Sequence, residues 1–99
     1  MKMNTGLSEQ HINVLKTACL RHPEIEAAIL FGSRAKGCYK KGSDIDLAIK
    51  GTGITHNTVL LLKSELEDSM LPFFVDVLHY ESISSPALRE HIDRVGIRL

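Results

Sequence analysis

The most constraining feature of this chain is the stretch Phe31–Asp46, which is rich in glycine and lysine and joins two apolar segments. It opens with the pair Gly32-Ser33 and closes with two carboxylates one residue apart, Asp44 and Asp46. Glycine lets backbone amides approach a phosphate closely, and hydroxyl groups and cations can hold it. Side chains two positions apart on a strand share a face, so the two carboxylates suit a hard divalent cation. A phosphate cradle beside a metal clamp indicates phosphoryl or nucleotidyl transfer.

The composition is that of an ordinary globular protein, with 43% apolar and 24% charged residues. A chain of 99 residues predicts one domain over 1–99, in which we expect residues 1–7 to be a flexible tail. The formal net charge of zero argues against direct nucleic-acid binding. No apolar run approaches the ~20 residues that a membrane span needs, and the N-terminus does not resemble a secretory signal. We therefore expect a cytoplasmic protein.

Apolar periodicity and capping signals predict six elements in the order α-β-β-α-β-α. The predicted helices begin at Ser8, at Thr55 or Asn57, and at Ser85, and they end near His22, Leu71 and Gly96. The predicted strands are Ile25–Phe31, Asp44–Lys50 and Phe73–Tyr80. In the second strand the two carboxylates and Ala48 share one face, and Ile45, Leu47 and Ile49 share the other. One face is therefore expected to meet a core, and the other to begin a site.

Two details of the apolar pattern concern the second helix and the C-terminus. The second helix is predicted to carry an apolar stripe of Val59, Leu62, Leu66 and Met70. The final residues, 97–99, could equally complete the core or form an interface.

A third carboxylate, Asp76, lies between Val75 and Val77 in the most hydrophobic predicted strand. A buried carboxylate without a partner is costly, so we expect Asp76 to meet a metal or a salt-bridge partner such as Arg34. If this strand lies beside Asp44–Lys50, three carboxylates converge, as two-metal phosphoryl chemistry requires. The upstream motif favours the metal.

Other sites are not supported by the sequence. No glycine loop is followed by the G-K-S/T of a P-loop. Cys19 and Cys38 form no C-x-x-C pair and are expected to be free thiols, the first in the core and the second in a loop. The five histidines show no metal-ligand spacing, so surface or packing roles are expected for them: His11, His22, His56, His79 and His91.

The motifs F-G-S-R-A-K-G, G-S-D-I-D-L-A-I and L-P-F-F-V-D-V-L together resemble the nucleotidyltransferase signature of the DNA polymerase beta superfamily. More narrowly, the chain resembles the minimal nucleotidyltransferases, small proteins commonly paired with a HEPN-domain partner as antitoxin and toxin. The resemblance covers about residues 25–99. It implies an α+β, sandwich-like fold, a nucleotidyltransferase palm with a small mixed sheet packed on helices.

The resemblance also implies roles for individual residues. The metal ligands and catalytic residues would be Asp44, Asp46 and Asp76, which would bind Mg²⁺, two ions in all, with Asp76 helping to take the proton from the acceptor hydroxyl. The nucleotide-binding residues would be Gly32, Ser33, Arg34 and Ser43. For Arg34, phosphate contact and support of the loop remain two alternatives. The roles of the loop lysines, Lys36, Lys40 and Lys41, stay open, because they could steer a triphosphate or simply be solvated.

The reaction that the resemblance implies is transfer of AMP from ATP to a tyrosine of a HEPN toxin, in a hetero-oligomer with that toxin. One alternative is a binding antitoxin that neutralises its partner by occlusion with a vestigial site. Another is nucleotidyl transfer to a small molecule of the aminoglycoside type, against which the lack of a substrate domain argues. The intact carboxylates and Gly32-Ser33 favour the enzyme.

Overall fold

The computed structural model describes residues 5–99, which form four α-helices and a four-stranded sheet. In chain order these elements are α1 (Glu9–Leu20), β1 (Ala27–Phe31), α2 (Gly32–Lys36), β2 (Ile45–Lys50), α3 (His56–Glu67), β3 (Val75–His79), α4 (Pro86–Val95) and β4 (Ile97–Arg98). A 3-10 turn, Tyr80–Ser82, follows β3 and leads towards α4. The α+β class and the order of the six predicted elements are confirmed.

Three helices start where the sequence offers a hydroxyl cap. The side chains of Ser8, Thr55 and Ser85 accept hydrogen bonds from backbone amides in the first turns of α1, α3 and α4. Such caps satisfy amides that have no partner within the helix. Thr55, rather than Asn57, is therefore the cap of α3, and Pro86 takes the first position of α4, where its missing amide costs nothing.

The strands lie in the order β3-β2-β1-β4, so β2 is central and β3 is an outer strand of the described sheet. β1 pairs antiparallel with both β2 and β4, whereas β2 and β3 are parallel. The sheet is therefore mixed, as expected. The register places Asp46 between Phe31 of β1 and Asp76 of β3.

The predicted division of β2 into two faces is confirmed. Ile45, Leu47 and Ile49 belong to the main apolar cluster, which α1 and α3 cover. Ala48 belongs to a smaller cluster on the opposite face, with Phe31 and with Ile92 of α4. α1 and α3 thus lie on one face of the sheet and α4 on the other.

Two local features differ from the sequence-based expectation, and a third decides between two alternatives that the sequence left open. Residues after Phe31 form a short helix, α2, which was not predicted. The last residues form β4 and pair with β1, and Ile97 and Leu99 pack against the main cluster, so of the two alternatives they complete the core. The apolar stripe of α3 ends at Leu66, because the Ser69 hydroxyl donates to the Leu66 carbonyl and turns the chain, leaving Met70 89% exposed.

The N-terminal tail, predicted over residues 1–7, falls partly outside the described residues, which begin at position 5. Thr5 is buried and Leu7 packs against the main cluster, so both belong to the packed domain. Cys19 is buried and Cys38 exposed, and both are free thiols, as expected. Within residues 5–99, no helix is long and apolar enough to cross a membrane.

Candidate active site

The candidate site lies on the α4 face of the sheet, where β2 and β3 begin and β1 ends. Asp46 and Asp76 occupy paired positions of the parallel strands β2 and β3. Asp44 precedes β2 by one residue and shares the Asp46 face by alternation. The sheet thus brings the three predicted carboxylates to one face.

Asp46 is the half-buried member of this group, and Asp44 and Asp76 are exposed. Burial is the largest cause that raises the pKa of Asp46, followed by repulsion from Asp76 and then from Asp44. His91 of α4 acts in the opposite direction and lowers the pKa of Asp46. The carboxylates therefore sense one another's charge, which a bound cation would relieve.

Asp76 is not buried, in contrast to our expectation from its apolar neighbours. Its side chain is 57% exposed, because β3 is an outer strand of the described sheet. Its nearest cation is Lys63 of α3, whose Nζ lies 4.0 Å from Oδ1, and not Arg34. At that distance and exposure the ion pair is weak. Asp76 is thus an accessible carboxylate that Lys63 hardly restrains.

Gly32 begins α2 at the point where β1 meets the carboxylates. Its φ is +76°, a left-handed conformation that favours glycine. A Cβ built on Gly32 would overlap Oδ2 of Asp46, so any other residue here would displace that carboxylate. The next residue, Ser33, is half-buried, and its carbonyl accepts a hydrogen bond from Cys38 N. Gly32 therefore lies directly against Asp46, the most buried of the three carboxylates.

Arg34 is 2% exposed and forms no ion pair with the three carboxylates. Its Nε and Nη2 donate to the Ser43 carbonyl at 3.1 and 2.7 Å, and its Nη1 donates to the Thr5 carbonyl at 2.9 Å. The guanidinium carbon lies 5.1 Å from the Tyr39 ring centroid and 4.4 Å from that of Phe73. Of the two roles considered for Arg34, this geometry gives support of the loop, and it leaves little of the guanidinium for a phosphate.

Hydrogen bonds to Ser43 fix the end of the loop between α2 and β2. Ser43 accepts from Arg34 through its carbonyl, and its hydroxyl accepts from Lys40 N at 2.8 Å. Ser43 therefore closes the turn that delivers Asp44 to the site. The three loop lysines, Lys36, Lys40 and Lys41, are exposed.

The donor chemistry of the site fits Mg²⁺, which prefers carboxylate oxygens. The backbone register places two carboxylates on neighbouring strands, and their repulsion favours a cation between them. Yet among residues 5–99 no three His, Cys, Asp or Glu side chains are arranged to hold a metal ion. Rotation of the exposed Asp44 and Asp76 side chains would be needed to complete the cluster.

Two residues near the site were not singled out by the sequence. His91 packs edge-on against Phe31, with ring centroids 6.2 Å apart, and acts on the charge of Asp46. Lys63 reaches Asp76 from α3. Neither has a motif around it. His91 directly precedes the core residue Ile92 of α4, and this neighbour was the one feature of the sequence that could have indicated a position near the sheet.

Comparison with protein families gives a match to the family described as Polymerase beta, Nucleotidyltransferase, over residues 13–99. A search of curated proteins gave no match.

Solved structures with the same fold come from toxin–antitoxin complexes. A chain in a mutant MntA–HpeT complex has 25% identity and a TM-score of 0.71, with 93% of this chain and 72% of that chain covered. A chain in a toxin–antitoxin structure with AMP-PNP has 24% identity and a TM-score of 0.68, covering 99% and 72%. A chain in the complex of tri-AMPylated Shewanella oneidensis HEPN toxin with MNT antitoxin has 23% identity and a TM-score of 0.61, covering 96% and 67%.

Proposed function

This chain belongs to the polymerase beta nucleotidyltransferase family, and we propose that it transfers AMP from ATP to a tyrosine hydroxyl of a HEPN toxin, as the antitoxin of the pair. The observation that carries the proposal is the register of Asp46 with Asp76, beside a Gly32 whose left-handed conformation and close approach to Asp46 favour glycine. The reaction takes place in the cytoplasm, where ATP is available.

The donor side of the site is the Gly32-Ser33 corner. Gly32 brings the backbone close to the triphosphate, and Ser33 offers a hydroxyl and an amide to it. Ser43 and Arg34 act on this side indirectly, since both hold the loop that carries Asp44. The exposed loop lysines add positive charge where ATP approaches.

The carboxylates hold the metal and the acceptor. Asp44, Asp46 and Asp76 would bind two Mg²⁺ ions, whose positive charge stabilises the reacting phosphates when they are bound. The accessible Asp76 carboxylate takes the proton of the tyrosine hydroxyl. The tyrosine oxygen forms a bond to the α-phosphorus, the bond to the β-phosphate oxygen breaks, and pyrophosphate leaves.

The HEPN partner is supported by the solved complexes of similar fold. Three features in those structures bear on this chain: a toxin bound to an MntA or MNT antitoxin, an ATP analogue, and a toxin that carries AMP.

The test is transfer of labelled AMP to the purified HEPN partner, followed by intact mass. We expect Mg²⁺-dependent addition of one or more adenylyl groups by the wild type and none by Asp44→Asn with Asp46→Asn. Asp68→Asn, at the exposed end of α3, is the matched acidic control and should transfer normally. If the double variant neutralises the toxin at wild-type strength, occlusion and not catalysis is the function.

A further inference from the structure

The free edge of the sheet beside the carboxylates carries an unusual residue, Phe74. Its side chain is 79% exposed although it immediately precedes β3. Its carbonyl accepts from Ile45 N at 2.8 Å, so its backbone is part of the β2–β3 pairing. Exposed aromatic side chains on an outer strand invite unwanted association, and proteins usually avoid them.

The face on which Phe74 lies is the face of the site. Phe73 and Val75 pack into the main cluster on the α1 and α3 side, whereas Leu78 packs into the α4-side cluster. By alternation Phe74 lies on the same side as Asp76 and Leu78. Because Val75 is paired with Ile45, Phe74 stands next to Asp44.

The two sides of the carboxylates therefore differ. α2 borders Asp46 on the β1 side, where Gly32 approaches the carboxylate. On the β3 side, where Asp76 is accessible, no strand of the described residues follows. Phe74 also lines an open cavity of about 440 Å³ at the connection between α3 and β3, together with Glu67, Leu71, Pro72 and Phe73.

From this arrangement we infer that Phe74 is a docking residue for the acceptor protein, whose hydroxyl reaches Asp76 over the free β3 edge. The inference rests on the proposed function, because it assigns the acceptor to the side opposite the triphosphate corner. A folded partner can cover both the aromatic ring and the neighbouring groove, and aromatic anchors next to grooves often dominate protein interfaces. The alternative occupant is the adenine ring of ATP, which the experiment below distinguishes from the acceptor.

The experiment compares Phe74→Ala and Phe74→Leu with Leu20→Ala, a control that removes a similarly exposed apolar side chain, at the end of α1. The acceptor is the purified, unmodified HEPN partner, and its binding is measured by calorimetry. A fluorescent ATP analogue with Mg²⁺ measures nucleotide binding separately. Thermal melting establishes that each variant is folded, as expected for so exposed a position.

We expect Phe74→Ala to weaken acceptor binding about 10-fold or more and to raise the KM for the acceptor. Phe74→Leu should recover most of the affinity, and ATP-analogue binding should stay at the wild-type level in all variants. Wild-type acceptor affinity in Phe74→Ala overturns the inference, while continued AMP transfer leaves the proposed function standing. Weakened ATP-analogue binding with unchanged acceptor binding also overturns it and assigns Phe74 to adenine. A wild type that neither binds nor modifies the HEPN protein refutes the proposed function, and the docking role with it.

Discussion

Asp46 is the residue at which stability and function oppose each other. Burial and two neighbouring carboxylates raise its pKa above the ordinary value. Folding therefore favours the protonated form, so the cost of folding with an ionised Asp46 develops as the pH rises through the folded-state pKa. At neutral pH the site is maintained at the expense of stability.

Replacing this carboxylate should therefore stabilise the protein without ligand. We expect Asp46→Asn to raise the Tm at pH 7 by about 2–4 °C, which corresponds to about 0.5 kcal/mol in a domain of this size. The gain should shrink as the pH falls, because acid protonates the wild-type side chain as well. Calorimetric melts at pH 3.5 and pH 7, without Mg²⁺, measure it. Equal gains at both pH values would mean that packing and not charge is responsible.

Gly32 and Gly42 form a natural comparison for a second prediction. Both have φ near +80°, but a Cβ at Gly32 overlaps the Asp46 carboxylate and a Cβ at Gly42 meets nothing within 4 Å. Gly42→Ala should cost only the backbone strain, about 1–2 kcal/mol. Gly32→Ala should cost more and should also abolish Mg²⁺-dependent binding of an ATP analogue. Urea unfolding and analogue titration of the two variants test this, and equal losses of binding would contradict the role of the close approach.

Among the elements, the α2–β2 connection depends on one buried guanidinium. Arg34 makes three hydrogen bonds to carbonyls and lies between two aromatic rings, which lysine cannot reproduce. We expect Arg34→Lys to lower the free energy of unfolding by about 2–3 kcal/mol. Arg94→Lys, on the exposed face of α4 where Arg94 pairs with Glu90, should change it by less than about 0.5 kcal/mol. Urea denaturation measures the free energy of unfolding of both variants. Similar losses in the two would argue that the Arg34 contacts are not stabilising.

The sequence predicts correctly the elements whose pattern is set by burial or by a helix cap. The alternation in β2 follows from two covered faces, and the starts of α1, α3 and α4 follow from hydroxyl caps. The prediction fails where the deciding contact is distant in sequence. The exposure of Asp76 follows from the outer position of β3, which no local pattern encodes. α2 was missed for a different reason, because its five residues are too few to show a helical period. The buried role of Arg34 depends on Thr5, 29 residues away.

At the scale of the whole molecule, the two sides of the sheet have different tasks. The larger cluster, under α1 and α3, contains most of the buried apolar side chains and no candidate site residue. The smaller cluster contains Phe31, which leads into Gly32, and Ile92 of α4, which packs with Phe31 and Ala48; α4 also contacts α2. The site therefore rests on the smaller of the two cores.

This division predicts that equal losses of stability on the two sides will have unequal effects on binding. Ile92→Ala and Leu66→Ala each remove a nearly fully buried side chain, and each should cost about 2–5 kcal/mol. At 10 °C, with the folded fraction monitored by circular dichroism, Leu66→Ala should bind the ATP analogue with wild-type affinity. Ile92→Ala should bind it at least about 5-fold more weakly, because α4 no longer fixes α2 and His91 beside Asp46. Equal affinities in two folded variants would show that α4 supports the fold without positioning the site.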